Sequence, residues 1–366
     1  MTAPLDLDLV QEPLLPREPH TIGIVGSGWI VRECHLPAYL KAGLNVEAIA
    51  SRTHANAEEV AQRFGIPKVY EDWRELAADA PIDVLDIAFP PDQQLSVVEH
   101  AVRHSRSLRA ILAQKPLAPD ASTAAEIVRL CREADIVLGV NQNMRYDRSI
   151  RALHTLLERG YLGTPISAQI TMHARVQWMP YAATYERLAL LIMSVHHLDT
   201  FRYLFGEPDR VIASVRRDHE LDRPHVDGMA VYVLEYADEL RAIAIDNCLT
   251  STDQGIEWRV EGTRGLARGT IGWPDYPWGS PSTIDFTTDL QPGYWFQPRW
   301  EERWFPDAFI GTMGELIRAL EDGVPPPISG EDNLKTMVLV DAAYASARTG
   351  AAVAVANSDE LEEVEA

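Results

Sequence analysis

Ile22-Gly23-Ile24-Val25-Gly26-Ser27-Gly28-Trp29-Ile30-Val31 is an apolar run that enters a glycine turn and leaves it as the start of a helix. Gly26 permits the turn. Gly28 lets backbone approach a pyrophosphate at the helix N-terminus, where Trp29 and Ile30 follow and where oriented amides favour anions. The position of a third glycine in this fingerprint is held by Val31, a residue that governs mainly how closely helix and strand pack. A two-glycine turn alone also occurs in structural loops. Between this strand and this helix it points to dinucleotide binding.

The pattern outward from the turn decides the fold class. Short apolar runs at 21–25, 46–50, 84–88, 110–112 and 137–140 alternate with helical stretches at 30–42, 55–64, 95–104 and 121–134. Such alternation is the signature of βαβ units and a parallel sheet, so residues 21–143 read as an α/β Rossmann domain behind a proline-containing arm, 1–20. After a linking helix at 148–159, strands follow one another at 166–174, 210–215, 229–236, 240–247, 256–261 and 266–270. Helices are expected at 187–205, 306–322 and 331–348. This second grammar predicts an α+β domain over 144–350 with a mainly antiparallel sheet, and an acidic tail over 351–366.

Composition narrows the function classes. The chain has 366 residues, 46% of them hydrophobic, enough for two folded domains. A formal charge of −21 opposes nonspecific nucleic-acid binding, which needs a basic face. No apolar run reaches the length of a membrane span, and the first residues lack a basic region followed by an apolar one, so a cytoplasmic protein is expected. Cys34, Cys131 and Cys248 are far apart and show no Cys-x-x-Cys spacing, which implies neither disulfides nor a metal site.

Two positions carry chemistry by residue type. The second strand ends Ala50-Ser51-Arg52, with no carboxylate for a ribose 2′-hydroxyl. Ser51 and Arg52 suit a 2′-phosphate, which favours NADP over NAD slightly, although Arg52 stacked on the adenine of either cofactor fits as well. Lys115 is one of only four lysines beside 29 arginines, and it stands at the end of an apolar strand, before Pro116. An ammonium there can be desolvated and can titrate, as a guanidinium cannot; a chance lysine at a loop mouth is the alternative.

Four segments in order resemble the Gfo/Idh/MocA oxidoreductases, a family that includes glucose-fructose oxidoreductase and inositol dehydrogenase. They are Cys34-His35-Leu36-Pro37-Ala38 after the glycine turn, Ala88-Phe89-Pro90-Pro91-Asp92, Gln114-Lys115-Pro116-Leu117-Ala118, and Val195-His196-His197-Leu198-Asp199 leading to Gly206-Glu207-Pro208. The resemblance spans about residues 21 to 350. It implies a Rossmann domain plus an open-faced sheet domain, hydride transfer with NAD(P), and substrates that are sugars, cyclitols or glycosides. It also implies that Phe89, Pro90, Pro91, Gln114 and Lys115 lie along the cofactor, and that the protein forms a homo-oligomer through the open sheet face.

By the same resemblance Lys115 takes the catalytic lysine role and His196 that of the proton-transferring histidine. An imidazole titrating near neutral pH can accept the hydroxyl proton, and an ammonium stabilises the developing alkoxide. Asp199, one turn beyond His196, is expected to orient the imidazole or contact substrate. Arg145, Tyr146, His173, Gln177 and Trp178 are further candidates for the substrate pocket. The aromatic stretch 273–305 suits an interface between copies, with sugar stacking as the alternative.

Two departures qualify the match. The family's glutamate before the lysine is Gln114, and its aspartate one turn before the histidine is Ile192. They leave open a nonenzymatic NAD(P)-binding sensor or scaffold of the same fold.

Overall fold

The computed structural model describes residues 5–9, 12–79, 81–175, 179–219, 223–250, 252–272 and 279–356. Two compact units emerge, one gathering residues 13–143 with 305–337, the other residues 1–12, 144–304 and 338–356. Trp178, Gln177, the aromatics Trp273, Tyr276 and Trp278, and the acidic residues from 357 onward lie outside the described residues.

The dinucleotide unit is built from β1 (Thr21–Val25), α1 (Leu36–Lys41), β2 (Asn45–Ala50), α2 (His54–Phe64), β3 (Lys68–Tyr70), α3 (Trp73–Asp79), β4 (Val84–Ile87), α4 (Pro91–His104), β5 (Ala110–Ala113), α5 (Ala121–Glu133) and β6 (Val137–Val140). All six strands are parallel, in the order β3-β2-β1-β4-β5-β6. β4 and β5 are buried along their whole length, because helices cover both faces of such a sheet and their side chains have no water to face. The strand β3 and the helix α3 were not anticipated; three residues of strand are too few for a period to show.

The helix expected at 30–42 is two elements. A π-helical turn, Val31–His35, precedes α1, and Pro37 sits in the first turn of α1, where its missing N–H costs nothing. The π-helical turn carries His35 inward.

The second unit comprises α6 (Arg148–Glu158), β7 (Pro165–His173), α7 (Ser194–Phe205), β8 (Arg210–Arg216), β9 (Met229–Glu235), β10 (Arg241–Asn247), β11 (Gly255–Gly262), β12 (Gly265–Ile271) and β13 (Thr283–Thr288). Its sheet runs β13-β12-β11-β7-β10-β9-β8-β14, the last strand being Val353–Ala354. Every pairing is antiparallel except β7 with β10. Alternate residues along β9 and β10 are buried while those between keep partial exposure, so the sheet is covered on one face and open on the other. β13 falls inside the aromatic stretch that the sequence suggested as an interface.

The helix α8 (Ala308–Asp322) and the start of α9 (Gly330–Thr349) belong to the dinucleotide unit rather than to the sheet unit that precedes them in sequence. Ser329 bridges to Gly139, and the carbonyl of Ile328 accepts from the Val140 N–H at 2.8 Å, which covers the outer edge of β6. Among the described residues no helix is long and apolar enough to cross a membrane, and no group of three or more His, Cys, Asp or Glu side chains could hold a metal ion.

Candidate active site

The glycine turn has the backbone that its sequence requires. Gly26 has φ +120°, and a Cβ there would meet the Ala88 carbonyl oxygen at 2.9 Å. Its N–H donates to the Ala50 carbonyl at 2.8 Å, so the turn is stitched to the end of β2. Gly28 is exposed, and a Cβ built on it meets nothing within 4 Å. Open space above a helix-initiating glycine is what a pyrophosphate needs, so the residues present fit a dinucleotide. The Ser27 hydroxyl donates to Ser51 Oγ at 2.8 Å, which ties the turn to the residue proposed to meet the ribose. Arg52 is exposed beside it. Trp29 and Ile30 are half-buried, and Trp29 lies 6.4 Å from the Phe305 ring.

At the carboxyl ends of β4 and β5 the two predicted loops lie on neighbouring strands, with Ile87 opposite Ala113. Phe89 packs edge-on against Trp73 at 6.3 Å; Pro90 caps α4, and Pro91 opens it. Gln114 and Lys115 follow β5 directly, ahead of a cis Lys115–Pro116 bond. Lys115 is half-buried, and burial lowers its pKa from 10.5 to about 7.

Gln94, which the sequence reading missed, holds this loop. Its Oε1 accepts from the Gln114 N–H at 2.7 Å, and its Nε2 faces the carbonyls of Gln114, Pro116 and Leu117 at 2.8, 2.9 and 3.1 Å. One buried carboxamide therefore satisfies both edges of the loop that presents Lys115. A signal was present: Pro91, Gln94, Val97, Val98 and Ala101 form the buried stripe of α4, and a glutamine in such a stripe needs a polar partner.

The second unit presents the histidine helix. Ala189–Met193 forms a π-helical turn ahead of α7, and Asp227 anchors its start by accepting from the N–H groups of Leu188 at 2.8 Å and Leu190 at 2.7 Å. His196 is buried and edge-on to Trp304 at 5.4 Å, so Trp304 is core here and not interface. His197 turns another way: its Nδ1 lies 2.7 Å from Asp246 Oδ1, and Tyr232 donates to the other oxygen at 3.1 Å. The two adjacent histidines thus separate into one locked ring and one ring beside an indole.

Arg145 and Asp199 are brought together. Arg145 Nε and Nη2 donate to the two oxygens of Asp199, both at 2.6 Å, and the guanidinium also lies 5.5 Å from the Tyr203 ring centre. Tyr146 is buried under Arg151, and His173 ends β7 opposite Asn247 and Gly255 with partial exposure. Ile192 is fully inside the apolar wall of the helix.

Residues 20–142 match the profile of the oxidoreductase family with an NAD-binding Rossmann fold, and residues 150–268 match the GFO/IDH/MocA C-terminal domain. A D-apiose dehydrogenase of Paraburkholderia graminis is 28% identical over 340 residues, covering 90% of this chain and 88% of that protein. A D-xylose 1-dehydrogenase (NADP(+)) of Haloferax volcanii is 26% identical, covering 90% of this chain and 98% of its own length. Among solved structures, an oxidoreductase from Agrobacterium radiobacter in complex with NAD+, L-tartaric acid and magnesium superposes with a TM-score of 0.80 at 26% identity, over 92% of this chain and 99% of the other. With both of its domains matched and the expected Rossmann and open-sheet architecture in place, this chain belongs to the Gfo/Idh/MocA family of oxidoreductases and is a dehydrogenase enzyme.

Proposed function

We propose that the enzyme exchanges hydride between NAD(P) and a secondary hydroxyl, or the matching carbonyl, of a sugar, cyclitol or glycoside. The observation that carries this reading is Lys115: a half-buried amine after β5, two strands from the glycine turn in one sheet, with its pKa brought to about 7 by burial. A bound nicotinamide would supply the hydride chemistry, held by the Gly26–Gly28 turn. Lys115 Nζ is proposed as the donor to the substrate oxygen, and the His196 imidazole as the group that takes the hydroxyl proton. Relatives named for D-apiose and D-xylose support a polyhydroxylated substrate.

The absence of an acid after Ala50, with Ser51 and Arg52 in its place, supports a slight preference for NADP over NAD. Arg145, Tyr146, His173 and Asp199 are proposed as substrate-side residues, Arg145 and Asp199 as a rigid pair. A homo-oligomer through the open sheet is supported by the apolar residues on that face: Val231 pairs with Ile245, Val233 with Ile243, and Ile212 is exposed beside Val233. A reducing, cytoplasmic setting fits three buried free cysteines.

A panel of aldoses, ketoses, cyclitols and anhydrosugars, assayed with both oxidised cofactors by nicotinamide absorbance, tests the reading. Turnover on a polyhydroxylated member that Lys115→Ala abolishes, with dinucleotide affinity retained, is the expected result. Dinucleotide binding without turnover on any member would refute it.

A further inference from the structure

The residue that replaces the family's glutamate, Gln114, is part of a buried chain of polar groups that runs back to β4. His35 Nδ1 lies 2.7 Å from Asp86 Oδ2, and the Tyr39 hydroxyl donates to the same oxygen at 2.8 Å. On the other side of the ring, His35 Nε2 faces Gln114 Nε2 at 3.3 Å and Asn141 Nδ2 at 3.2 Å. His35 and Asp86 are buried, with the ring packed against Tyr39 and Phe309.

These contacts fix the protonation of the ring. A carboxylate only accepts, so the proton between His35 and Asp86 sits on Nδ1. The orientation of the Gln114 amide is set independently, because its Oε1 accepts from the Lys115 N–H at 3.0 Å. Its NH2 group must therefore be the end that meets His35. An amide NH2 only donates, so His35 Nε2 carries a lone pair and the imidazole is neutral. Tyr39, its hydroxyl held protonated first by burial and then by the Asp86 charge, remains a donor throughout.

We propose that His35 is a positioning residue for Lys115, acting through the Gln114 carboxamide, and that glutamine at 114 is the match for a neutral imidazole. A glutamate there would turn an oxygen toward the Nε2 lone pair, and that contact becomes favourable only if the ring takes a second proton. The identity of residue 114 thus sets the charge of His35, and the bond from Lys115 N to Gln114 Oε1 carries the ordering to the backbone of the lysine. The catalytic role of Lys115 rests on the function proposed above; the tautomer and its coupling to residue 114 do not.

Three measurements on the full chain decide the matter. With 15N-histidine labelling, and His35 assigned by difference from His35→Asn, the wild-type ring should show the neutral Nδ1–H pattern. Gln114→Glu, an isosteric change, should convert it to imidazolium at neutral pH. An imidazolium or Nε2–H ring in the wild type, or an unchanged ring in Gln114→Glu, overturns the proposal. Acylation of Lys115 followed by mass spectrometry against pH gives its titration without turnover, and Gln114→Glu should move the midpoint up by about one pH unit. His35→Asn keeps a donor for Asp86 and removes the acceptor for Gln114. It should lower kcat about tenfold with KM and dinucleotide Kd little changed, and an unaltered kcat would overturn the positioning role. If the wild type shows no turnover, the proposed function fails, while the spectra and acylation midpoints still decide the coupling.

Discussion

Arg145 grips Asp199 through two parallel charge-assisted hydrogen bonds of 2.6 Å, with both side chains buried. The fork of the guanidinium matches the carboxylate, and a second guanidinium, Arg202, stands 3.9 Å from Oδ1. Asp199 is therefore a fixed strut of the histidine helix. Removing one member of a buried pair leaves the other charge uncompensated and costs about 3–5 kcal/mol. Asp199→Ala should lower unfolding stability by that order, and Arg145→Met with Asp199→Leu together should cost less than Asp199→Ala alone. Denaturant titration of these two variants and of Arg145→Met alone measures this; a double variant as unstable as the sum of both single losses contradicts it.

Lys115 should impose a pH dependence of definite sign. Its folded pKa of about 7 lies below the ordinary 10.5, so between those values the unfolded chain holds a proton that the folded chain has released. Stability rises with pH across that window, and the penalty for burying the ammonium is fully present below it. Lys115→Met should flatten the rise, seen as melting temperatures that converge with the wild type at high pH. The oxidation rate should carry a limb near pH 7 that disappears in Lys115→Arg, since a guanidinium stays protonated.

The two glycines of the turn should behave differently. Gly26→Ala puts a Cβ 2.9 Å from the Ala88 carbonyl in a backbone region that L side chains avoid, and should cost about 1–3 kcal/mol in stability. Gly28→Ala meets nothing, so the fold should be unchanged while dinucleotide affinity falls by about tenfold or more as the methyl group crowds the phosphates. Thermal melts alongside fluorescence titration with NADH separate the two. A Gly28→Ala protein with intact affinity would show that the phosphates lie elsewhere.

Gln94→Leu keeps the apolar stripe of α4 and removes the carboxamide that satisfies the Gln114 N–H and three carbonyls. Each buried group left unsatisfied costs about 1–3 kcal/mol, so the variant should be clearly less stable. Because that carboxamide holds the Lys115 loop, kcat should fall as well, and a stability loss without a kcat change would show the loop to be held by other contacts.

His196 and His197 should part company in the same assays. His197→Leu breaks the buried contact with Asp246 and should reduce stability, whereas His196→Gln should cut turnover with a near-normal melting temperature. The reverse pattern would exchange their roles.

Much of the architecture was legible because it rests on short-range pattern. The apolar strand before Gly26, the alternation up to Val140 and the Met229–Asn247 hairpin each rest on elements whose period shows locally. What escaped depends on distance. β3 is too short to show a period, and nothing local to 305–337 says that this stretch packs with β6. The partners in the His35, Asp86 and Gln114 chain lie up to 106 residues apart, and Trp304 falls among aromatics that read as interface because composition does not tell a wall of the core from an interface.

The strand-edge contact of Ile328 and Ser329 with β6 has a consequence for recombination. The chain enters the dinucleotide unit twice, at 13–143 and again at 305–337, so neither unit is encoded by one contiguous segment. A fragment cut after Asn143 would bare the Gly139–Val140 edge and lose α8, leaving an aggregation-prone strand. Exchange of sheet units between relatives must therefore take residues 144–304 together with 338–356, while the segment 305–337 between them is inherited with the nucleotide fold it seals.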